Sequence, residues 1–335
     1  MSKENINIDD VAKLAGVSIT TVSRVINKFP TVKEENRKKV ESAIRRLKYK
    51  PNLSAQRLAS GCNDTIGLEM PRYEGLFYSF YAMEIFRSVG IACDALKADL
   101  LLHLTDGTTF INSAAVGGVV FADLINNKTH VETLMGLGVP IVLMNYTALD
   151  LDVTSVGIDN LRGAQTAIEY LVNHKHRKIA FLTGDLATQA AQQRLSGYKI
   201  GLEKAKIELN DSYVFRCDYS RKSARSAAEK ILAMKEKPTA VFASSDDMAM
   251  EVIAVFMENG LKCPNDISVM GFDDDPVCLI GPIALTTVKQ PLSEMAQAAV
   301  KELYLQMKDQ NRQIKRLILP TELIVRDSVK PLRGV

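Results

Sequence analysis

From about residue 64 onward, short apolar runs alternate with longer amphipathic stretches, and this alternation is the feature that most restricts the possible folds. The runs have the length of strands, and most segments between them have the length of helices. Such alternation predicts two similar lobes, each a doubly wound parallel α/β sheet. The predicted strands are 65–69, 99–103, 118–122, 141–144 and 155–158 in the first series, and 178–183, 213–216, 240–243, 268–272 and 285–288 in the second.

The first sixty residues have a different, all-helical pattern. Apolar residues recur at helical spacing over 8–14, Gly16 stands where a helix would end, and Ser18 stands where the next would begin. The second helix has an apolar face and a polar face, and a third helix is predicted over 34–47. This punctuation is typical of a helix-turn-helix unit. Two amphipathic helices joined by a glycine-containing turn also occur in folds that bind no nucleic acid.

The distribution of charge favours the nucleic-acid interpretation. Residues 1–60 contain thirteen Lys or Arg against six Asp or Glu, a net charge of +7, whereas the whole chain is only +3. By subtraction, residues 61–335 carry −4. Positive charge concentrated in one small module is what a phosphate-binding surface requires. We therefore predict that duplex DNA is a partner of the N-terminal module.

The run GVSITTVSRVINKFPTVKEENRKKVESAIRRLKYKPNLSAQRLASG resembles the N-terminal module of the lactose-repressor/galactose-repressor family of bacterial transcription regulators. The resemblance implies that Ile19, Thr20 and Arg24 take the base-reading positions in the major groove. By helical angle, Ile19 either packs inward or contacts a thymine methyl. The residues that the resemblance assigns nearer the phosphates are Ser18, Thr21, Ser23 and Asn27.

Residues 51–62 connect the module to the body of the chain. The simplest interpretation is an ordinary interdomain linker. The resemblance instead implies a short hinge helix, capped by Asn52, that orders on operator DNA and pairs with the hinge helix of a second subunit. Leu58 would then insert into a minor-groove base step with Ala55 beside it, because an apolar wedge kinks a duplex.

The body of the chain lacks the motifs of common enzymes. No GxGxxG follows a predicted strand, no GxxxxGK[ST] occurs, and the acidic run 273–275 reads as a loop after a strand. The five cysteines form no CxxC pair and the four histidines are scattered. We predict no catalytic residue, no metal site and no cofactor. Without a signal segment or a membrane-length apolar run, the chain is expected in the cytoplasm.

The body also resembles the sugar-sensing core that these repressors share with periplasmic sugar-binding proteins, which implies an effector cleft between the lobes. In that comparison Arg194 matches the arginine that grips ligand hydroxyls or a carboxylate. Asp273 matches the carboxylate that accepts from sugar hydroxyls, and Tyr219 matches a stacking aromatic. The remaining candidates for effector contact are Tyr81, Asn145 and Asp247. Ala122, Ala190 and Ser245 depart from the family pattern, which leaves the ligand's identity open.

The expected organisation is a helix-turn-helix head over 1–50, the hinge over 51–62, and two core lobes. The first lobe takes 63–160 with 290–318, and the second takes 161–289 with 319–335. The expected function is a homodimeric repressor of carbohydrate-related genes that binds a pseudo-palindromic operator and is gated by a sugar. Alternatives are control of the same head by a protein corepressor or by a purine or other non-sugar ligand, and a cleft enzyme with an accessory DNA module.

Overall fold

The computed structural model describes residues 6–26, 29–49, 63–73, 75–148, 150–309 and 311–332. The chain separates into two compact units, one ending at Asn63 and the other beginning at Asp64. The predicted hinge over 51–62, including Asn52, Ala55 and Leu58, lies outside the described residues, as does Asn27. The boundaries drawn there remain predictions.

The N-terminal unit is built from three helices: α1 (Ile8–Ala15), α2 (Ile19–Ile26) and α3 (Glu34–Leu47). Asn7 begins α1 through a capping box, in which its side chain accepts from the Asp10 amide at 3.1 Å while the Asp10 carboxylate accepts from the Asn7 amide at 3.0 Å. Gly16 ends α1 with a left-handed φ of 66°. The predicted helix-turn-helix and the predicted third helix are thereby confirmed.

The core of this unit is small and made largely of valine and alanine. Each helix contributes one fully buried valine to this core: Val11, Val22 and Val40. Leu14, which the apolar pattern placed with the inward residues, is 41% exposed, and Ala15 is buried instead. The reason is helical spacing, because residue 15 lies one turn from Val11 and so shares its face.

The larger unit contains two sheets, with strands numbered along the chain. The first sheet has the order β11-β5-β4-β3-β1-β2 and its described pairings are all parallel. Its strands are β1 (Ile66–Pro71), β2 (Leu100–Thr105), β3 (Gly118–Phe121), β4 (Ile141–Met144), β5 (Thr154–Ile158) and β11 (Arg316–Leu319). Its helices are α4 (Phe80–Ala95), α5 (Lys128–Gly136) and α11 (Leu292–Lys308).

The second sheet has the order β12-β10-β9-β8-β6-β7. Its strands are β6 (Ile179–Leu182), β7 (Val214–Phe215), β8 (Ala240–Ala243), β9 (Ser268–Asp273), β10 (Thr286–Lys289) and β12 (Glu322–Ile324). The helices of this lobe are α6 (Asn160–Asn173), α7 (Gln189–Lys204), α8 (Arg221–Ala233), α9 (Asp246–Glu258) and α10 (Val277–Ile280). The ten predicted strands are all present, with ends that differ by one or two residues at most.

The predicted parallel α/β lobes are confirmed, with one antiparallel pairing at an edge, where β12 pairs with β10. The cause is the path of the chain. The last residue of β11 lies at the carboxyl edge of the first sheet, and β12 begins three residues later. The chain therefore enters the second sheet from its carboxyl edge and runs against the other strands.

Helix α11 belongs to the first lobe although it follows the second lobe in the chain. Met295, Ala299 and Leu303 are fully buried in the core formed around β1, β3, β4 and β5. In the same lobe the segment between β2 and β3 forms only a 3-10 turn, Ser113–Ala115, instead of a full crossover helix. As a result Leu100 and Leu102 on β2 remain partly exposed.

Candidate functional site

Helix α2 presents a polar outer face. Ser18, Thr20 and Arg24 are exposed, as is Ile19 at 48%, so Ile19 points outward and does not pack in the head's core. The Ser18 hydroxyl begins the helix by accepting from the Thr21 amide at 3.2 Å. Thr21 and Ser23 are half-buried beside this face. Three predicted polar DNA-contacting residues, Ser18, Thr20 and Arg24, thus share one accessible surface with Ile19, whose methyl groups suit a thymine.

In the first lobe, polar side chains gather at the carboxyl ends of β3 and β4. Asp123 lies two residues beyond β3, and Asn145 follows β4 directly, with a left-handed φ of 53°. The Asn145 side-chain amide donates to Asp123 Oδ1 at 3.0 Å. Tyr81, from the first turn of α4, donates to the Ala122 carbonyl at 3.1 Å and also hydrogen-bonds to Asp123. Tyr81 and Asn145 were predicted from the sequence, whereas Asp123 was not.

In the second lobe, Arg194 on α7 is only 3% exposed. Its Nε donates to Asn160 Oδ1 at 2.9 Å and its Nη1 donates to the Ser244 carbonyl at 2.6 Å. The Phe272 ring covers the guanidinium at 3.9 Å, and Asp273 Oδ1 lies 4.0 Å from Nη1. These contacts hold a buried charge in one orientation.

Asp273 ends β9 with a φ of 133°, and Gln290, one residue beyond β10, donates its side-chain amide to the Asp273 carboxylate. Tyr219 also has a left-handed φ, of 69°. Its ring lies against Gly184, where a Cβ would come within 2.0 Å of Tyr219 Cζ, so this position requires glycine. Left-handed backbone at non-glycine residues is costly and tends to gather at functional sites.

Electrostatic interactions join the two lobes at this point. Burial raises the pKa of Asp123 to about 7, against the opposing effects of hydrogen bonds from Asn145 and Tyr81 and of the positive charge of Arg194 in the other lobe. Burial also raises the pKa of Asp273 well above its usual range, and Arg194 again opposes the rise. Arg194 therefore interacts electrostatically with one carboxyl group in its own lobe and with one across the cleft.

The remaining predicted residue, Asp247, is not part of this cluster. Its carboxylate pairs with Arg221 at 2.8 Å. The cap of α9 is Ser245, whose side chain accepts from the Met248 amide. The carboxylates of the acidic run 273–275 do not form one site. Asp274 pairs with Arg326 at 2.6 Å, and the Asp275 amide donates to Asp246.

A direct contact closes the rim of the cleft. The Gln189 side chain, at the start of α7, accepts from the Thr147 amide at 2.6 Å and donates to the Thr147 carbonyl at 3.3 Å. Asp123 and Gln290 could have been predicted as site residues from the sequence, because both are polar residues just after a predicted strand. No such signal exists for Gln189, whose partner is backbone in the other lobe.

Within the described residues, no group of three His, Cys, Asp or Glu side chains has the arrangement of a metal site. None of the helices in the described part of the chain combines the length and apolar character needed to cross a membrane.

Comparisons with known proteins match both units of the chain. Residues 7–52 match the model of bacterial regulatory proteins of the lacI family, and residues 168–329 match that of the periplasmic binding protein-like domain. Catabolite control protein A of Priestia megaterium is 33% identical, with 97% of this chain and 100% of the relative covered.

Two solved structures are similar over nearly the whole chain. The lac repressor dimer bound to operator and the anti-inducer ONPF has a TM-score of 0.83 at 27% identity, covering 97% of this chain and 99% of its own. The transcriptional regulator CelR in complex with cellobiose has a TM-score of 0.74 at 29% identity, covering 97% and 100%.

Proposed function

The chain belongs to the lacI family of bacterial regulatory proteins, and on that premise we propose that it is a transcriptional repressor that binds operator DNA and is gated by a carbohydrate effector. It acts as a cytoplasmic homodimer on a pseudo-palindromic site and has no catalytic role. The proposed DNA binding is supported above all by the exposed surface of α2, which belongs to a module with a net charge of +7.

The recognition step follows from the side chains of that surface. Arg24 has the planar donor fork that pairs with guanine in the major groove, and the hydroxyls of Ser18 and Thr20 donate or accept at base edges or phosphates. Ile19 supplies apolar contact with a thymine methyl. The surrounding lysines and arginines attract any duplex, so specificity depends on these few residues.

The effector step follows from the cleft. Arg194, Asp273 and Asp123 present a guanidinium and two carboxylates at the carboxyl ends of parallel strands, where such folds bind ligands. The solved structures of a dimer on operator and of a cellobiose complex are of similar proteins and support this assignment. Closure of the cleft would shift the first lobes and so change the spacing of the two heads.

Operator binding tests the proposal. Duplexes selected from a random pool by the purified chain are compared with scrambled duplexes by fluorescence anisotropy at moderate salt. We expect Arg24→Ala to weaken binding to the selected duplex by about 1–3 kcal/mol while affecting scrambled DNA little. Arg46→Ala is the matched control, because it removes an equal charge from α3 rather than from α2.

The proposal is wrong if the protein remains monomeric and binds the selected duplex no better than the scrambled one.

The predicted wedge is tested in the same assay. Leu58→Ala should weaken binding to the selected duplex and leave non-specific binding unchanged. The reason is that insertion of the side chain stabilises the complex only where the duplex has a suitable minor-groove base step.

A further inference from the structure

The cleft offers more hydrogen-bond acceptors than donors. In each lobe a carboxylate after one strand is bound by an amide side chain after the neighbouring parallel strand. Asn145 donates to Asp123 in the first lobe, and Gln290 donates to Asp273 in the second. Each side-chain amide turns its NH₂ toward the carboxyl group and its oxygen away.

Both of those amide oxygens are buried and lack a hydrogen-bond partner within the described residues. The atoms are Asn145 Oδ1 and Gln290 Oε1, and Gln290 is only 5% exposed as a residue. The Ser244 hydroxyl, fully buried beside Arg194, is likewise without a partner there. Buried polar atoms are nearly always hydrogen-bonded in native proteins, so these atoms point to a ligand that supplies their missing hydrogen bonds.

Part of the donor capacity of the cleft, in contrast, is already engaged. Arg194 uses Nε on Asn160 and Nη1 on Ser244, and its face is covered by Phe272. Tyr81 donates within its own lobe. A ligand group that only accepts hydrogen bonds, such as a phosphate or a carboxylate, would therefore meet two carboxyl groups and two amide oxygens, with the remaining N–H groups of Arg194 as its donors. A hydroxyl or ammonium group would satisfy those acceptors.

We propose that the effector is a polyhydroxylated ligand rich in hydrogen-bond donors, uncharged or bearing an amino group, and that the pairs Asp123–Asn145 and Asp273–Gln290 reject acidic and phosphorylated sugars. This assignment rests on the proposed function, since it concerns the same cleft. Asp123 is its specificity-determining residue in the first lobe.

The test uses sugars that differ at one group. Glucose, glucosamine, glucuronate and glucose 6-phosphate, and the same four derivatives of galactose, are titrated into the full chain by calorimetry, with thermal shift as a second readout. The neutral or amino member of at least one series should bind at least about tenfold more tightly than its acidic and phosphorylated counterparts, since an unpaired buried acceptor is heavily penalised. A neutral and an amino sugar are distinguished by which of the two gives the larger heat.

Two substitutions examine the residues themselves. Asp123→Asn should reduce the preference for the neutral or amino sugar by about tenfold, because one carboxylate acceptor becomes partly a donor. Asn145→Ala, which removes an acceptor without changing charge, should lower affinity for every sugar that binds. Asp94→Asn is the matched control, because it removes an exposed carboxylate near the end of α4, at the opposite edge of the first lobe.

An acidic or phosphorylated member that binds as tightly as its neutral counterpart overturns the proposal. So does the absence of binding by all eight compounds. Operator binding is measured on the same preparation, so a chain that selects its operator but ignores the whole series would refute the assignment of the ligand and leave the DNA function standing. Should Asp123→Asn fail to fold, the comparison of sugars with the unsubstituted chain still decides the matter.

Discussion

Arg194 is the residue on which the second lobe's half of the cleft depends. Its charge is buried, and the hydrogen bonds to Asn160 and Ser244 compensate for the loss of water. The same contacts fix the direction in which the guanidinium meets Asp273. The Arg194 side chain therefore contributes both to effector affinity and to the stability of the lobe.

Arg194→Ala is expected to lower the free energy of unfolding of the larger unit by about 3 kcal/mol, because it leaves buried acceptors and a carboxylate without their partner. Urea unfolding followed by circular dichroism measures the loss. Arg225→Ala is the control, since that guanidinium also pairs with Glu251 and Glu258 but is 41% exposed. Similar losses for the two variants would contradict the structural role assigned to Arg194.

The pKa of Asp123, raised by burial to about 7, predicts a pH dependence. Without ligand, the folded protein holds this proton more tightly than the unfolded chain, so stability is lost as pH rises toward and through 7. Ligand hydroxyls favour the ionised form, so binding releases the proton. Asn145, Tyr81 and Arg194 face the carboxyl group. An amide side chain has no titratable proton in this pH range, and burial raises the pKa of Tyr81 well above its usual value.

We therefore expect sugar affinity to increase between pH 6 and pH 8, and the thermal shift produced by the sugar to increase with it. Calorimetry at both pH values in buffers of different ionisation enthalpy would detect the released proton. In Asp123→Asn the increase should be largely lost. An affinity that falls as pH rises would mean that the ligand binds the protonated carboxyl.

At the scale of the element, the turn between α1 and α2 decides whether the recognition surface exists. Gly16 adopts a φ of 66°, and its amide donates to the last carbonyls of α1. The next helix then begins at Ile19 with Ser18 as its cap. A short helix such as α2 is marginal on its own, so its position depends on the turn and on the buried valines.

Gly16→Ala should destabilise the head by roughly 1–2 kcal/mol, because alanine is strained in the left-handed region. Hydrogen exchange of the α1 and α2 amides in the full chain measures the effect, and operator affinity should fall with it. Gly136→Ala, in the last position of α5 with an ordinary φ, should be neutral or slightly stabilising. Unchanged protection in Gly16→Ala would show that the turn tolerates a side chain.

At the scale of the whole molecule, two lobes of like topology are joined by several crossings of the chain and by the contact of Gln189 with Thr147. That contact uses both the donor and the acceptor of one side chain on one residue of the opposite lobe. It can form only when the cleft is closed. Gln189 therefore contributes to the balance between open and closed lobes whether or not an effector is present.

Gln189→Ala should favour the open form, because two hydrogen bonds worth about 1 kcal/mol each are lost. The radius of gyration from small-angle X-ray scattering should increase, and effector affinity should fall roughly tenfold since the competent state is less populated. Gln192→Ala is the control, because Gln192 bonds to Leu186 within its own lobe. An unchanged radius in Gln189→Ala would show that other contacts hold the lobes together.

The sequence by itself determined the elements and the class of protein. Helix lengths, the glycine at 16 and the alternation after residue 64 depend on local propensity and periodicity, which are properties of short segments. The family resemblance also selected Arg194, Asn145 and Tyr219 as effector contacts, and that role remains a prediction. Strands 141–144 and 240–243 were predicted to the residue because apolar runs with clear ends leave little freedom.

Only the tertiary structure decided which of the candidate residues meet. Asp247 has the same chemistry as Asp273 and also lies near the end of a strand, yet it pairs with Arg221. Asp123 enters the site because β3 and β4 are neighbours in the sheet, and Gln189 closes the cleft because the other lobe brings Thr147 to it. Such contacts depend on the packing of segments far apart in the chain, about which local sequence carries no information.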